Sequence, residues 1–126
     1  MTSLKPIAFT VCLLGFALPA HANDIPKVLA PADIGAAFMT GQAFAATANT
    51  GKIIMITFKP DGSALAVPKG EKKGNKGKWR LSDKGYCTSW GKSPEHCYTV
   101  RLTGTSYEVL SGTSIVVAHW AKPGTK

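Results

Sequence analysis

The sequence predicts a mainly β protein, a small antiparallel β-barrel or half-barrel with one short N-terminal helix. Three observations predict this fold class. Short segments in which apolar and polar residues alternate follow one another through most of the chain, as in half-buried strands. Turn residues separate these segments at short intervals, and only one segment has a helical pattern. The 126 residues suffice for one domain, and no internal repeat or linker divides them.

The first 22 residues are predicted to be a signal peptide. Lys5 precedes an apolar run from Ile7 to Leu18, and Ala20-His21-Ala22 has the small-x-small pattern of a cleavage site. The run is shorter than the ~20 apolar residues of a membrane span, so cleavage is favoured over an uncleaved anchor. The predicted mature domain is residues 23–126, periplasmic or secreted, and no later segment is apolar enough to span a membrane.

The helical segment runs from Pro31 to Met39, after an extended lead-in. Pro31 suits the first helical position, Asp33 lies at the positive end of the helix dipole, and Gly41 follows the last turn. Ile34 and Phe38 share one face of this helix. That apolar face predicts packing against a sheet.

Eight strands are predicted after the helix. Ile53–Phe58 is the most apolar and should lie centrally, and the Lys59-Pro60-Asp61-Gly62 turn should join it to the next strand. The other predicted strands are Ala43–Ala48, Ser63–Val67, Lys78–Leu81, Tyr86–Trp90, Cys97–Leu102, Ser106–Leu110 and Ser114–Trp120.

Cys87 and Cys97 are predicted to form a disulfide. The third cysteine, Cys12, lies in the signal peptide, which leaves an even number in an exported chain. Both cysteines lie on the strand faces opposite the aromatic side chains, and a hairpin would bring them together. Closing a loop of 11 residues contributes roughly 3 kcal/mol in the chain-entropy model.

The charge is strongly basic, and it suggests an anionic partner. Loss of Lys5 with the signal peptide lowers the net charge from +8 to +7. Such a charge attracts anionic surfaces. In an exported protein these are envelope lipid, acidic polysaccharide or an acidic protein, whereas nucleic acid is not expected. The alternative is a solvated surface with no dedicated partner.

The segment from Lys69 to Lys78 is the most basic of the chain, and its glycines make it flexible. It is predicted to be a hairpin loop that either binds anions through lysine point charges or is only solvated. The anion-binding residues of this hypothesis are Lys69, Lys72, Lys73, Lys76, Lys78 and Arg80.

Three aromatic residues, Trp79, Tyr86 and Trp90, could stack on a ligand, although such side chains also serve as core residues. No metal or other cofactor is expected, because His96 and His119 lack partners at metal-ligand spacing. No catalytic residue is nominated: the chain has no G-x-S-x-G elbow, and its acids lie mostly in turns. Whether the protein is an enzyme stays open, with a non-enzymatic role favoured.

Several short motifs resemble a known family. The sequence has A-D-I-G-A-A-F in the helix, F-K-P-D-G-S after the central strand, G-K-W-R, then Y-C-T-S-W and H-C-Y. This pattern, from Ala32 to about Val100, resembles small exported proteobacterial proteins of unknown function with an F-x-x-D-G, G-x-W and two-cysteine core. The resemblance implies a secreted, largely β, disulfide-bearing domain and no catalytic residues.

Three functions are compatible with these patterns. The first is a binding or interaction module whose basic loop contacts an anionic envelope component. The second is a carrier that holds a small apolar ligand inside the barrel. The third is a hydrolase of envelope polymers, which would need two converging acids. A cavity of roughly a few hundred Å³ lined by aromatic residues would favour the carrier, and a filled core would favour the module.

Overall fold

The computed structural model describes residues 25–112 and 114–124, which contain nine strands and one helix. In chain order they are β1 (Lys27–Val28), α1 (Pro31–Phe38), β2 (Phe44–Ala48), β3 (Ile53–Phe58), β4 (Ser63–Pro68), β5 (Asn75–Leu81), β6 (Tyr86–Trp90), β7 (His96–Thr103), β8 (Ser106–Ser111) and β9 (Ile115–Trp120). The predicted signal peptide, residues 1–22, lies outside the described residues.

Strands β2 to β9 form a closed eight-stranded antiparallel barrel, which confirms the predicted fold class. Each strand pairs with the next one along the chain, and β9 returns to pair with β2. At this closure Ala46 lies opposite Trp120, and Ala48 lies opposite Ala118. Closure satisfies the backbone groups that an open sheet would expose at its two edges.

All eight predicted strands are present, five of them with ends shifted by one residue, and there are two larger differences. β5 begins at Asn75 rather than Lys78, because Asn75 already pairs with Ala66 of β4. The lead-in before the helix contains the short strand β1, whose Lys27 lies opposite Leu102 of β7. β6 pairs only with the first part of β7, so β1 occupies the position beside the second part.

Helix α1 packs its apolar face into one end of the barrel. Ile34 and Phe38 are fully buried, as the apolar face predicted. The Phe38 ring lies 5.0 Å from that of Phe44, 5.1 Å from that of Tyr107 and 4.8 Å from that of Trp120, measured between centroids. The helix ends one residue earlier than predicted, at Phe38, where the Met39 N–H still donates to the Gly35 carbonyl.

The two ends of the barrel therefore differ. The end sealed by α1, here the closed end, also has the turns between β3 and β4, β5 and β6, and β7 and β8. The opposite end, here the open end, has the connections 49–52, 69–74 and 91–95 and the turn between β8 and β9. No helix among the described residues is long and apolar enough to cross a membrane.

The predicted disulfide between Cys87 and Cys97 is present, with a sulfur–sulfur distance of 2.00 Å. The two residues lie directly opposite each other on β6 and β7, and their Cα atoms are 3.9 Å apart. Both side chains lie on the outer face of the barrel, because Tyr86 and Tyr98, their neighbours in sequence, belong to the interior cluster. Disulfides of this kind are typical of proteins that fold in oxidising compartments.

Candidate functional site

The barrel interior contains a cavity of about 160 Å³. Its deeper wall is buried and includes Phe58, Tyr86 and Trp120. Its outer wall is partly exposed and includes Ile54 and Trp90, which lie close to the strand ends at the open end. The cavity therefore reaches from the aromatic cluster above α1 toward solvent at the open end.

The cavity exists because large and small side chains face each other across the barrel. β6 and β7 contribute the aromatic residues Tyr86, Trp90 and Tyr98 to the lining. The lining from β2 and β9 includes three alanines, at 46, 48 and 118. A methyl group at each of these positions leaves room that a leucine or phenylalanine would fill, since protein interiors are otherwise close-packed.

Two buried hydroxyl groups belong to the cavity wall. The side chains of Tyr86 and Thr88 are each 4% exposed. Burial, and next to it the neighbouring phenol of Tyr98, raises the pKa of Tyr86 well above its ordinary value, so this hydroxyl keeps its proton. Neither hydroxyl makes a side-chain hydrogen bond within residues 25–112 and 114–124. Buried polar groups normally have a partner, so these two need one.

Of the three aromatic residues predicted to stack on a ligand, the structure places Tyr86 and Trp90 in the cavity wall and Trp79 elsewhere. The Trp79 indole N–H donates to the Lys59 carbonyl oxygen at 2.7 Å, and its ring lies 6.2 Å from that of Phe58. Trp79 is thus held by the β3–β4 turn at the closed end, where it serves packing. The alternating pattern of its strand is the same whether Trp79 stacks on a ligand or packs in the core, so the sequence could not distinguish these two roles.

The six predicted anion-binding residues fall into two groups. Lys69, Lys72 and Lys73 lie on the 69–74 connection at the open end. The other three alternate along β5 with Gly77 and Trp79, which face the interior, so they project from the outer wall of the barrel. They are Lys76, Lys78 and Arg80. The predicted loop therefore ends at Gly74, and its last part belongs to a strand.

Arg80 differs from the lysines because it already has an anionic partner. Its Nε and Nη2 donate to the two carboxylate oxygens of Glu95 at 2.9 and 2.8 Å. These hydrogen bonds raise the pKa of Arg80 and lower the pKa of Glu95. A paired fork of this kind leaves less of the guanidinium available to an external anion.

The open end also gathers two lysines that sequence reasoning did not include. Lys52 belongs to the 49–52 connection, and Lys92 belongs to the 91–95 connection. The open-end lysines are Lys52, Lys69, Lys72, Lys73, Lys76 and Lys92. All six are exposed, and none forms an ion pair with any other described residue. No local signal could have grouped them, because the connections are far apart in the chain.

The described residues form neither a metal site nor a pair of catalytic acids at the cavity. Its lining, within the part of the chain that the structure describes, has no acid, histidine or cysteine. Cys87, Glu95 and Cys97 bring potential ligand atoms within 4.8 Å of one another on the outer wall. The disulfide removes the two thiolates that a metal would need there.

Comparisons of the chain with models of protein families, with curated proteins and with solved structures found no match. The resemblance to small exported proteobacterial proteins therefore stays a prediction. What can be inferred about function rests on the geometry of the barrel.

Proposed function

We propose that the protein is an exported binding module whose open end contacts an anionic component of the cell envelope. The observation that supports this most directly is the set of six exposed lysines at that end. The acids there are Glu71 and Glu95, and Glu95 is held by Arg80. The open end is therefore strongly positive.

The closed end provides an internal comparison. Its exposed lysines, Lys27, Lys59, Lys84 and Lys122, are interspersed with Asp33, Asp61 and Asp83, so positive and negative groups nearly balance. Opposite charges that lie within a Debye length of ~8 Å reduce each other's field at physiological salt. An anionic surface should therefore be attracted to the open end rather than to the protein as a whole.

The lysines suit a surface of phosphate or carboxylate groups better than one defined anion. A lysine ammonium acts as a point charge with freely rotating donors, whereas recognition of a single anion favours the planar fork of arginine. Arg80, the arginine that the anion-binding hypothesis included, lies on the outer wall and is already paired with Glu95. Anionic lipid or acidic polysaccharide fits this arrangement, and an acidic protein would be recognised by the same charges.

A small-ligand carrier is the second candidate, and the cavity is the observation that favours it. At about 160 Å³ the cavity is smaller than the few hundred Å³ on which the carrier hypothesis depended. Pockets for drug-sized ligands measure roughly 300–1,000 Å³. A long acyl chain therefore has no room in this structure. The hydrolase hypothesis has the least support, since none of the acids in residues 25–112 and 114–124 lines the cavity.

The test compares two triple variants with the same change of net charge. Lys72, Lys73 and Lys76 become Gln at the open end, and Lys27, Lys84 and Lys122 become Gln at the closed end. Both proteins are measured for retention on vesicles that contain an anionic lipid, across a salt series. We expect the open-end variant to bind more weakly with a flatter salt dependence, while the closed-end variant stays close to wild type.

Circular dichroism of all three proteins serves as the control for folding. We expect the same spectrum for each, because exposed lysines contribute little to stability. Equal retention of the two variants at every salt concentration would show that net charge alone drives binding. Absence of retention for wild type at low salt would overturn the proposal.

A further inference from the structure

The cavity has one property that an apolar carrier does not explain. Its wall is mostly apolar, and its polar groups are the indole N–H groups of two tryptophans and a few hydroxyls, of which those on Tyr86 and Thr88 are almost completely buried. Thr88 is the only buried polar residue of the described core. Valine has the same shape and would pack equally well against the aromatic rings, so the hydroxyl at this position calls for a hydrogen-bonding partner.

The two hydroxyls belong to the same wall. Tyr86 and Thr88 are two residues apart on β6 and therefore face the interior side by side. The Tyr98 ring on β7 lies 5.4 Å from the Tyr86 ring and also lines the cavity. A protonated phenol can both donate and accept a hydrogen bond, and so can a threonine hydroxyl. Together they can hold one polar group of a ligand.

Size and charge restrict the ligand further. Engineered apolar cavities of about 150 Å³ hold a single benzene ring, and the cavity here measures about 160 Å³. No charged side chain from the described part of the chain lines it. A carboxylate or ammonium group inside it would lose its hydration without gaining a counter-ion. The polar group of the ligand should therefore be neutral.

We propose that the cavity binds a neutral one-ring molecule with a single hydroxyl or carbonyl group, which pairs with the hydroxyls of Tyr86 and Thr88. The ring lies between the aromatic wall of β6 and β7 and the alanine wall of β2 and β9. The lysines of the open end take no part in this contact. The inference therefore rests on the cavity alone and is tested separately from binding to anionic surfaces.

The experiment titrates the mature protein with phenol, benzene and benzoate and follows the Thr88 methyl group and the tryptophan indole N–H groups by NMR. We expect phenol to bind about three- to tenfold more tightly than benzene, the effect of one net hydrogen bond. Benzoate should bind much more weakly than either. The variants Tyr86→Phe and Thr88→Val keep the shape of the wall. In each of them the ratio of the phenol affinity to the benzene affinity should fall toward one.

A second pair of variants separates the cavity from the outer surface of the same strand. Ala48→Leu fills the outer part of the cavity and should abolish the shifts caused by phenol. Ala45→Leu lies on the opposite face of β2, where Ala45 pairs with Met55, and should leave them unchanged. Equal affinities of wild type for phenol and benzene would overturn the role of the hydroxyls. Two results would overturn the site itself. One is a set of phenol-induced NMR shifts that persists in Ala48→Leu, and the other is the absence of such shifts in wild type up to the solubility limit of phenol.

Discussion

Replacement of Phe38 by alanine should strongly destabilise the protein, because this side chain joins the helix to the barrel. Phe38 is fully buried, and its ring packs against three other rings, those of Phe44, Tyr107 and Trp120, at centroid distances of 4.8–5.1 Å. Truncation of a buried phenylalanine to alanine lowers the free energy of unfolding by about 3–5 kcal/mol. Each well-placed aromatic pair adds roughly 0.5–1.5 kcal/mol beyond area burial, so we expect the upper part of that range.

Thermal and urea unfolding of the disulfide-bonded protein measure this cost. For a domain of this size each kcal/mol corresponds to about 4–8 °C, so a cost of about 4–5 kcal/mol should lower the melting temperature by at least ~16 °C. Phe38→Leu keeps most of the volume and should lose less. Ile115→Ala removes an apolar side chain that is 64% exposed, and its effect should stay within about 0.5 kcal/mol.

A loss of stability in Phe38→Ala no larger than that in Ile115→Ala would contradict this prediction. The helix would then not seal the barrel in solution, and the distinction between a closed and an open end would fail. If the free energy of unfolding falls strongly while the slope of its dependence on urea concentration stays unchanged, the substitution has weakened native packing. A changed slope would instead indicate a change in the compactness of the unfolded or native state.

Two further predictions concern the outer wall. Replacing Cys87 and Cys97 together by serine should lower the free energy of unfolding by roughly 3 kcal/mol, measured by urea unfolding, since their bond closes an 11-residue loop; a loss below about 1 kcal/mol would contradict the estimate. The Arg101 guanidinium, which donates to Glu108, holds the pKa of that carboxyl below its ordinary value of 4.5, so its contribution to stability is present above that pH and is lost as pH falls through the lowered value. Glu108→Gln should therefore flatten the acid side of the stability–pH profile, and an unchanged profile would show that the pair does not matter.

Local sequence patterns were enough to predict the helix, the eight strands of the barrel and the faces on which the cysteines and the aromatic side chains lie. Alternation of residues in Tyr86–Trp90 and Cys97–Leu102 placed the cysteines on one face and the aromatic rings on the other, because strand geometry has a period of two residues. The turn at Lys59–Gly62 and the helix beginning at Pro31 follow from equally local conformational preferences. These features depend on residues adjacent in the chain, which is why they could be predicted.

How the strands and the helix combine depends on contacts between residues that are distant in the chain. Pairing of β2 with β9 closes the barrel and brings Ala48 beside Ala118, and the cavity depends on that meeting of small side chains. The barrel also brings Lys52 and Lys92 to the same end as the lysines of the 69–74 connection. In the same way, the indole N–H of Trp79 donates a hydrogen bond to the carbonyl of Lys59, 20 residues away in the chain. The volume of the cavity and the charge of the open end each depend on residues from several strands and connections. Local periodicity does not indicate which of these become neighbours, so neither property could be predicted from the sequence.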